Sequence, residues 1–325
     1  MAETMSSQAE PAQASTARGA KSTRAGTFEQ PILLLLIVGG FLAVSTVIAK
    51  AGPSVGWHPL ALLQWSILGG AAGLYLITRL GGGRRKEIAS GSEGGFRRIG
   101  FYLLMSGLLF IVPNMIAVNA APKVGAGFVS LSFAFPLVLT YAFAVMLRLE
   151  RPQLLRGTGV LFGLAGGVLL AVSGRDISVE ASWWSMIALS IPVFLATGNI
   201  YRTLKWPAGA KPVDLALGMM ATGFVALAVF NVIAGIPVVP QTWTAGATGL
   251  LAAQTVIFAI QYGLYFRLQL TAGPVYLSQI GSVAAVVGLG LGFLVFGEVP
   301  NLAKLAAVAS VGAGIVLVTL GRLKA

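Results

Sequence analysis

The sequence contains no cysteine, so disulfides, thiolate metal sites and cysteine nucleophiles are excluded at once. A single histidine, His58, leaves too few partners for a histidine-based metal centre or a Ser-His-Asp triad. Charge is scarce as well. Only 10% of the 325 residues are Asp, Glu, Lys or Arg, against about 25% in an ordinary soluble domain. The acidic residues are Glu3, Glu10, Glu29, Glu87, Glu93, Glu150, Asp176, Glu180, Asp214 and Glu298, and none falls at the middle of an apolar run. An exchanger of protons for cationic drugs needs a buried carboxylate whose pKa can swing. That class is excluded.

What is present is apolar sequence, 56% hydrophobic with a mean hydropathy of +0.85, which assigns the chain to the membrane. Residues 1–30 are rich in Ala, Ser, Thr, Gln and Glu without apolar periodicity, and are expected to form a disordered cytoplasmic tail. No short apolar core with a small-residue cleavage site stands there, so a removable signal peptide is not expected. Ten apolar spans follow, at 31–50, 58–78, 98–119, 123–147, 155–173, 182–203, 213–234, 245–267, 273–297 and 300–321. Each is long enough to cross a bilayer as a helix. Pro113, Pro136 and Pro192 lie inside spans, where neighbours must satisfy the carbonyls they free.

The net charge of +12 does not point to nucleic acid, because the basic residues sit between apolar runs. Eighteen Lys and Arg residues fall on one side, among them Arg18, Arg84, Arg97, Arg98, Arg148, Arg156, Arg202, Lys205 and Arg267. The other side keeps four, Lys50, Lys123, Arg175 and Lys304. The bias places both termini in the cytoplasm.

The stretch from Gly273 to Pro300 repeats an earlier one from Gly125 to Pro152 at a shift of 148 positions. The same shift pairs Ser130 with Ser278, Glu150 with Glu298, Leu154 with Leu302, and Ala165-Gly166 with Ala313-Gly314. A gap-free echo of that length marks a duplication. The expected fold is all-α and integral to the membrane: ten transmembrane helices as two inverted-topology five-helix repeats, 31–174 and 182–321, around a central cavity. Inversion follows from the odd number of spans per repeat, which makes the second half enter from the opposite side.

Each half ends in a span, a Glu-x-Pro turn and a Gly-rich span: LRLERPQLLRGTGVLFGLAGGVLLAV and VFGEVPNLAKLAAVASVGAGIVLV. With Pro136 in SFAFPLVLTYAF, these residues resemble the EamA branch of the drug/metabolite transporter superfamily over about residues 31–321. The resemblance implies two bundles of five helices around a central cavity that moves small organic solutes, exporters of amino acids and other metabolites among them. Two departures stand out. Trp65 follows Gln64 in the second span, where many relatives have an arginine, and Ala284 replaces the second-half equivalent of Pro136. The second half is therefore expected to lack one kink.

Polar side chains inside spans are candidates for substrate contact, because burying them costs free energy. Small ones also serve as interhelical hydrogen-bond glue. Gln279 and Ser282 share a helix face, and Ser278 is one turn from Ser282. Gln261 and Tyr262 lie in the eighth span, with Tyr265 near its end read as an interfacial anchor. Gln64 and Trp65 in the second span, Asn119 in the third and Tyr141 in the fourth complete the substrate-binding set; Asn199 and Tyr201 are weaker candidates. Asn114 follows Pro113 and is expected to satisfy backbone opened by that proline. Glu150 and Glu298 end helices beside prolines, where a carboxylate accepts N–H bonds from the following helix start, a structural role. Lys50, Lys123, Arg202 and Arg267 sit at span ends and are expected to snorkel to headgroups.

The expected function is secondary transport of a small neutral or zwitterionic metabolite, amino-acid-like and outward, across a bacterial inner membrane by alternating access. The partners are a small-molecule solute and the lipid bilayer, with no nucleic acid, no cofactor, no metal and no catalytic residue. An organic-anion or nucleotide-sugar transporter is the alternative, favoured if Lys50, Lys123 or Arg202 faces the cavity. An intramembrane enzyme or a non-transporting scaffold is the reading from a different class.

Overall fold

The computed structural model describes residues 12–80, 93–148, 151–173, 179–299 and 301–323. Twelve α-helices account for almost all of them, with no strand among the described residues. They are α1 (Ala12–Ala51), α2 (Pro59–Leu80), α3 (Glu93–Val124), α4 (Ala126–Ser132), α5 (Pro136–Met146) and α6 (Leu154–Ser173). The series continues with α7 (Val179–Ala188), α8 (Ile191–Leu204), α9 (Pro212–Ile233), α10 (Ala245–Leu277), α11 (Ile280–Phe296) and α12 (Leu302–Leu323). Helix α1 starts within the stretch read as a tail, whose Ala, Gln, Lys and Arg residues are good helix formers; its apolar part begins at Pro31.

Seven stretches among the described residues are long and apolar enough to cross a membrane: Pro31–Val55, Pro59–Leu80, Arg97–Val124, Ala126–Met146, Trp183–Leu204, Pro212–Ile233 and Ala245–Leu277. Their outer surface carries Leu33, Leu36, Leu76, Phe101, Val225 and Val229, all exposed. A belt of that kind has no favourable place in water. The protein is an all-α integral membrane protein. The other three expected spans fall on shorter apolar helices, Leu154–Gly163, Ile280–Phe296 and Leu305–Gly314.

Three of the expected spans are interrupted rather than straight. Pro136 lacks the N–H that a continuous helix needs, and residues 133–135 turn through tight i→i+3 bonds (Phe133 to Ser130, Ala134 to Leu131, Phe135 to Ser132) before α5 begins. Pro192 stands at the second position of α8, after a break at Leu189-Ser190. The third break, at Ser278-Gln279 between α10 and α11, has no proline at it. The kink expected to be missing from the Ala284 half is present, displaced toward the start of that span. Gly273 at φ +77° redirects the chain five residues earlier, as Gly125 at φ +97° does before α4, both in the region that favours glycine.

The first and third breaks meet. A Cβ on Gly281 would lie 1.3 Å from the carbonyl oxygen of Phe133, so only glycine allows the two interrupted helices to cross there. Around this crossing α1 packs on α11, α2 on α10, α3 on α9 and α5 on α8, while α6 and α12 pair with each other. In the α6–α12 seam, Ser310 donates to the Phe162 carbonyl at 2.8 Å. Gly166 packs on Val311 and Gly314 on Gly163 in the same seam.

Candidate functional site

The interior beside the crossing is built from α3, α8 and α10. Helix α8 brings Asn199 and Arg202 to one face, three residues apart. Arg202 is 2% exposed. Its Nη2 donates to Asn199 Oδ1 at 3.0 Å and to the Tyr265 hydroxyl at 2.8 Å. The same hydroxyl donates to Asn199 Oδ1 at 2.6 Å, closing a ring of three side chains between α8 and α10. Gly198 leaves room for the guanidinium, since a Cβ there would lie 3.0 Å from Nη1.

The remaining nitrogens of Arg202, Nε and Nη1, have no hydrogen-bond partner. Nor does Arg202 have an acid: the ion pair seen among the described residues joins Lys50 to Glu298. Leaving a charge buried and uncompensated costs on the order of several kcal/mol. The guanidinium faces a cavity of about 60 Å³ lined also by Asn114, Gln261, Tyr262, Tyr265, Phe110 and Phe133. Gln261 is 3% exposed, and its Oε1 accepts nothing. One unpaired cation and one unpaired acceptor thus share a largely apolar chamber.

Across the Phe133 crossing, a second cavity of about 30 Å³ is lined by Ser45, Thr46, Asn114, Phe133 and Gln254. Gln254 donates to Ser45 at 2.9 Å and keeps its own Oε1 unpaired. Each cavity has room for one or two waters, whose share of liquid volume is about 30 Å³. On the Arg202 side, the stacked rings of Tyr102 and Tyr201, centroids 5.8 Å apart, stand at a groove of about 1140 Å³ between α3 and α8. That groove is lined by Arg97, Arg98 and Lys205.

A different basic residue is paired within the chain. Lys50 Nζ donates to Glu298 Oε1 at 2.5 Å. The same carboxylate accepts the backbone N–H of Ala126 at 2.8 Å and of Gly127 at 3.0 Å. Glu298 had been expected to serve the helix that follows it; it serves α4 instead. Burial pushes the Glu298 carboxyl up, but the bond from Lys50, the two N–H donors and the Lys50 charge outweigh it and hold the pKa below the ordinary 4.5. Glu150 lies outside the described residues.

The structure separates the candidate substrate-binding residues. Gln261 and Tyr262 line the larger cavity. Gln64 instead accepts from Asn231 Nδ2 at 2.7 Å, joining α2 to α9. Trp65 donates to the Val238 carbonyl at 2.5 Å, away from the cavities. Asn119 bonds back to Met115 at 2.9 Å. The Tyr141 hydroxyl accepts the N–H of Gln153 at 3.0 Å beneath Arg156, whose guanidinium lies 4.0 Å from the ring centroid. Gln279 is half-buried at the α10–α11 break, and the Ser282 hydroxyl has no partner; neither lines the two inner cavities.

Two expectations are corrected. Tyr265 is no interfacial anchor, because its hydroxyl is tied to Arg202 and Asn199. Arg202 does not snorkel, because α10 covers it. Asn114 bonds the Phe110 carbonyl at 2.7 Å, as expected of a residue beside Pro113, but it also lines both cavities. Sequence reasoning passes over Asn114 and Gln254 as site residues and names Arg202 only as the condition of the organic-anion alternative, a condition that its place at the cavity meets. For Arg202 the available signal was an arginine one turn after an asparagine in an apolar run, with no acid nearby to pair it.

A solved structure described only as "Crystal structure of protein" is similar to this chain, with a TM-score of 0.61 and 17% identity over 91% of this chain and 98% of that one. At that identity the likeness shows the fold alone. No protein-family model matches the chain, and no curated protein matches it.

Proposed function

We propose that the protein is a secondary transporter that carries a small metabolite across the membrane by alternating access, a zwitterion or, as Arg202 at the cavity favours, an organic anion. In this reading ten spans form two inverted five-helix repeats. The observation that carries it is the pair of small, largely apolar cavities beside the interrupted helices, each holding an unpaired buried polar group, Gln254 in one and Arg202 and Gln261 in the other. Interrupted helices are tolerated at membrane depth where they line such a cavity.

The repeat is supported by contacts that obey the 148-position shift. Phe133 and Gly281 differ by that number, as do Phe162 and Ser310. Gly166 with Val311 and Gly163 with Gly314 exchange under it. A contact between equivalent residues is what a pseudo-two-fold axis requires. The packing of α2 on α10 and of α3 on α9 is likewise one arrangement occurring twice. The reading assigns no catalytic residue, cofactor or metal, and places both termini in the cytoplasm of a bacterial inner membrane.

The test is uptake of a labelled amino-acid panel into proteoliposomes, with and without a pH gradient. Saturable flux is expected for at least one member. Absence of flux for both amino acids and organic anions, from protein that is folded and inserted, would overturn the transport reading.

A further inference from the structure

We infer that the Arg202 chamber is a binding site for a small monocarboxylate with an apolar body. The inference rests on the transporter reading for its biological sense, but its chemistry stands on the chamber alone.

The guanidinium of Arg202 is a cation, and no acid of the described residues pairs with it. Asn199 and Tyr265 occupy one nitrogen and orient the group, yet both are neutral. Nε and Nη1 remain as donors without acceptors. The group that satisfies both the charge and the donors is an oxyanion. One guanidinium compensates one charge. A phosphate ester would leave a further negative charge among Phe110, Phe133, Leu195, Met219 and Ile280, which line the same chamber. A carboxylate matches, and those apolar side chains suit an aliphatic or aromatic body.

Gln261 adds a second recognition element. It stands one helical turn before Tyr265 on α10, and its free Oε1 accepts from an N–H or O–H donor on the ligand. A monocarboxylate without such a donor still satisfies Arg202 but leaves Gln261 unpaired. The groove at Tyr102 and Tyr201 is lined by Arg97, Arg98 and Lys205, a positive surface that attracts anions. The chamber itself must widen on binding, because about 60 Å³ holds water but no metabolite.

The experiment is equilibrium binding to the full chain in lipid nanodiscs, using four probes that share leucine's isobutyl side chain: L-leucine, 4-methylpentanoate, L-leucinamide and isopentylamine. Leucine and 4-methylpentanoate are expected to bind, while the amide and the amine bind at least about tenfold more weakly, the scale of a lost charged hydrogen bond. Arg202→Gln should abolish the preference for the acids, and Arg202→Lys should retain part of it. Gln261→Leu should weaken leucine more than 4-methylpentanoate. Amide binding equal to acid binding in the wild type overturns the site without reliance on any variant, as does an absence of binding by all four probes. Preferential binding of the phosphonate analogue of leucine, run as a fifth probe, overturns the choice of carboxylate. Proteoliposome flux separates the two readings. Acid binding without flux refutes transport and leaves the site standing; flux of a non-carboxylate that Arg202→Gln does not change refutes the site and leaves transport standing.

Discussion

Lys50 and Arg202 are both basic residues at helix ends, both turned inward, and they stand on opposite sides of the Phe133 crossing. Lys50 meets Glu298 and, through it, the start of α4. Arg202 meets two neutral side chains and a cavity. The sequence treats them alike; the fold does not. A cation that has its counter-charge within the chain is part of the framework, whereas one held in place without it leaves a demand that something else must meet. The companion carboxylate distinguishes a strut from a socket.

The comparison can be broken outright by supplying the missing partner. Gln261→Glu places a carboxylate in the Arg202 chamber, and should abolish leucine binding while raising thermal stability, measured side by side in nanodiscs. Next in size, Arg202→Gln should reduce carboxylate binding at least about tenfold without loss of stability, since it removes an unpaired buried charge. At the other end, Glu298→Gln should lower stability by about 1–3 kcal/mol, because Lys50 loses its counter-charge and the α4 donors keep only a neutral acceptor. Thermal unfolding reads that difference.

A pH series sharpens the same contrast. The Glu298 carboxyl has its pKa lowered in the folded state, so its stabilisation is present above the ordinary value of 4.5 and disappears as pH falls through the folded value. The gap in melting temperature between wild type and Glu298→Gln should therefore be constant near neutrality and close in acid. No such closure is expected for Arg202→Gln. The smallest effect belongs to Tyr265→Phe, which removes one of two partners from Arg202 Nη2 and should weaken acid binding several-fold with the acid–amide preference intact.

How much of this was written in the sequence depends on the distance over which each property is decided. Apolar run length is local, and the membrane assignment followed from it. Proline effects are local too: the breaks at 133–135 and Leu189-Ser190 follow Pro136 and Pro192. The Ser278-Gln279 break has no such marker, because it is shaped by what it packs against, the Phe133 carbonyl across the crossing. The site divides in the same way. Gln261 and Tyr262 were legible as polar side chains deep in a span. Gln64 looked equivalent, but its partner Asn231 lies 167 positions away on α9, and no spacing rule reveals that pairing. Arg202 was misjudged because a position near a span end says nothing about whether another helix covers it, and Tyr265 does.

The absence of clearance at the crossing bears on insulation. A carbonyl set directly against a helix backbone leaves no film of solvent at the crossing itself. Protons pass along unbroken threads of water, and none can run through that contact, because main chain cannot swing aside as a side chain can. A bilayer that stores energy as a voltage loses it through any standing leak. At Gly281, in the conformation described, main chain meets main chain with no room for even one water.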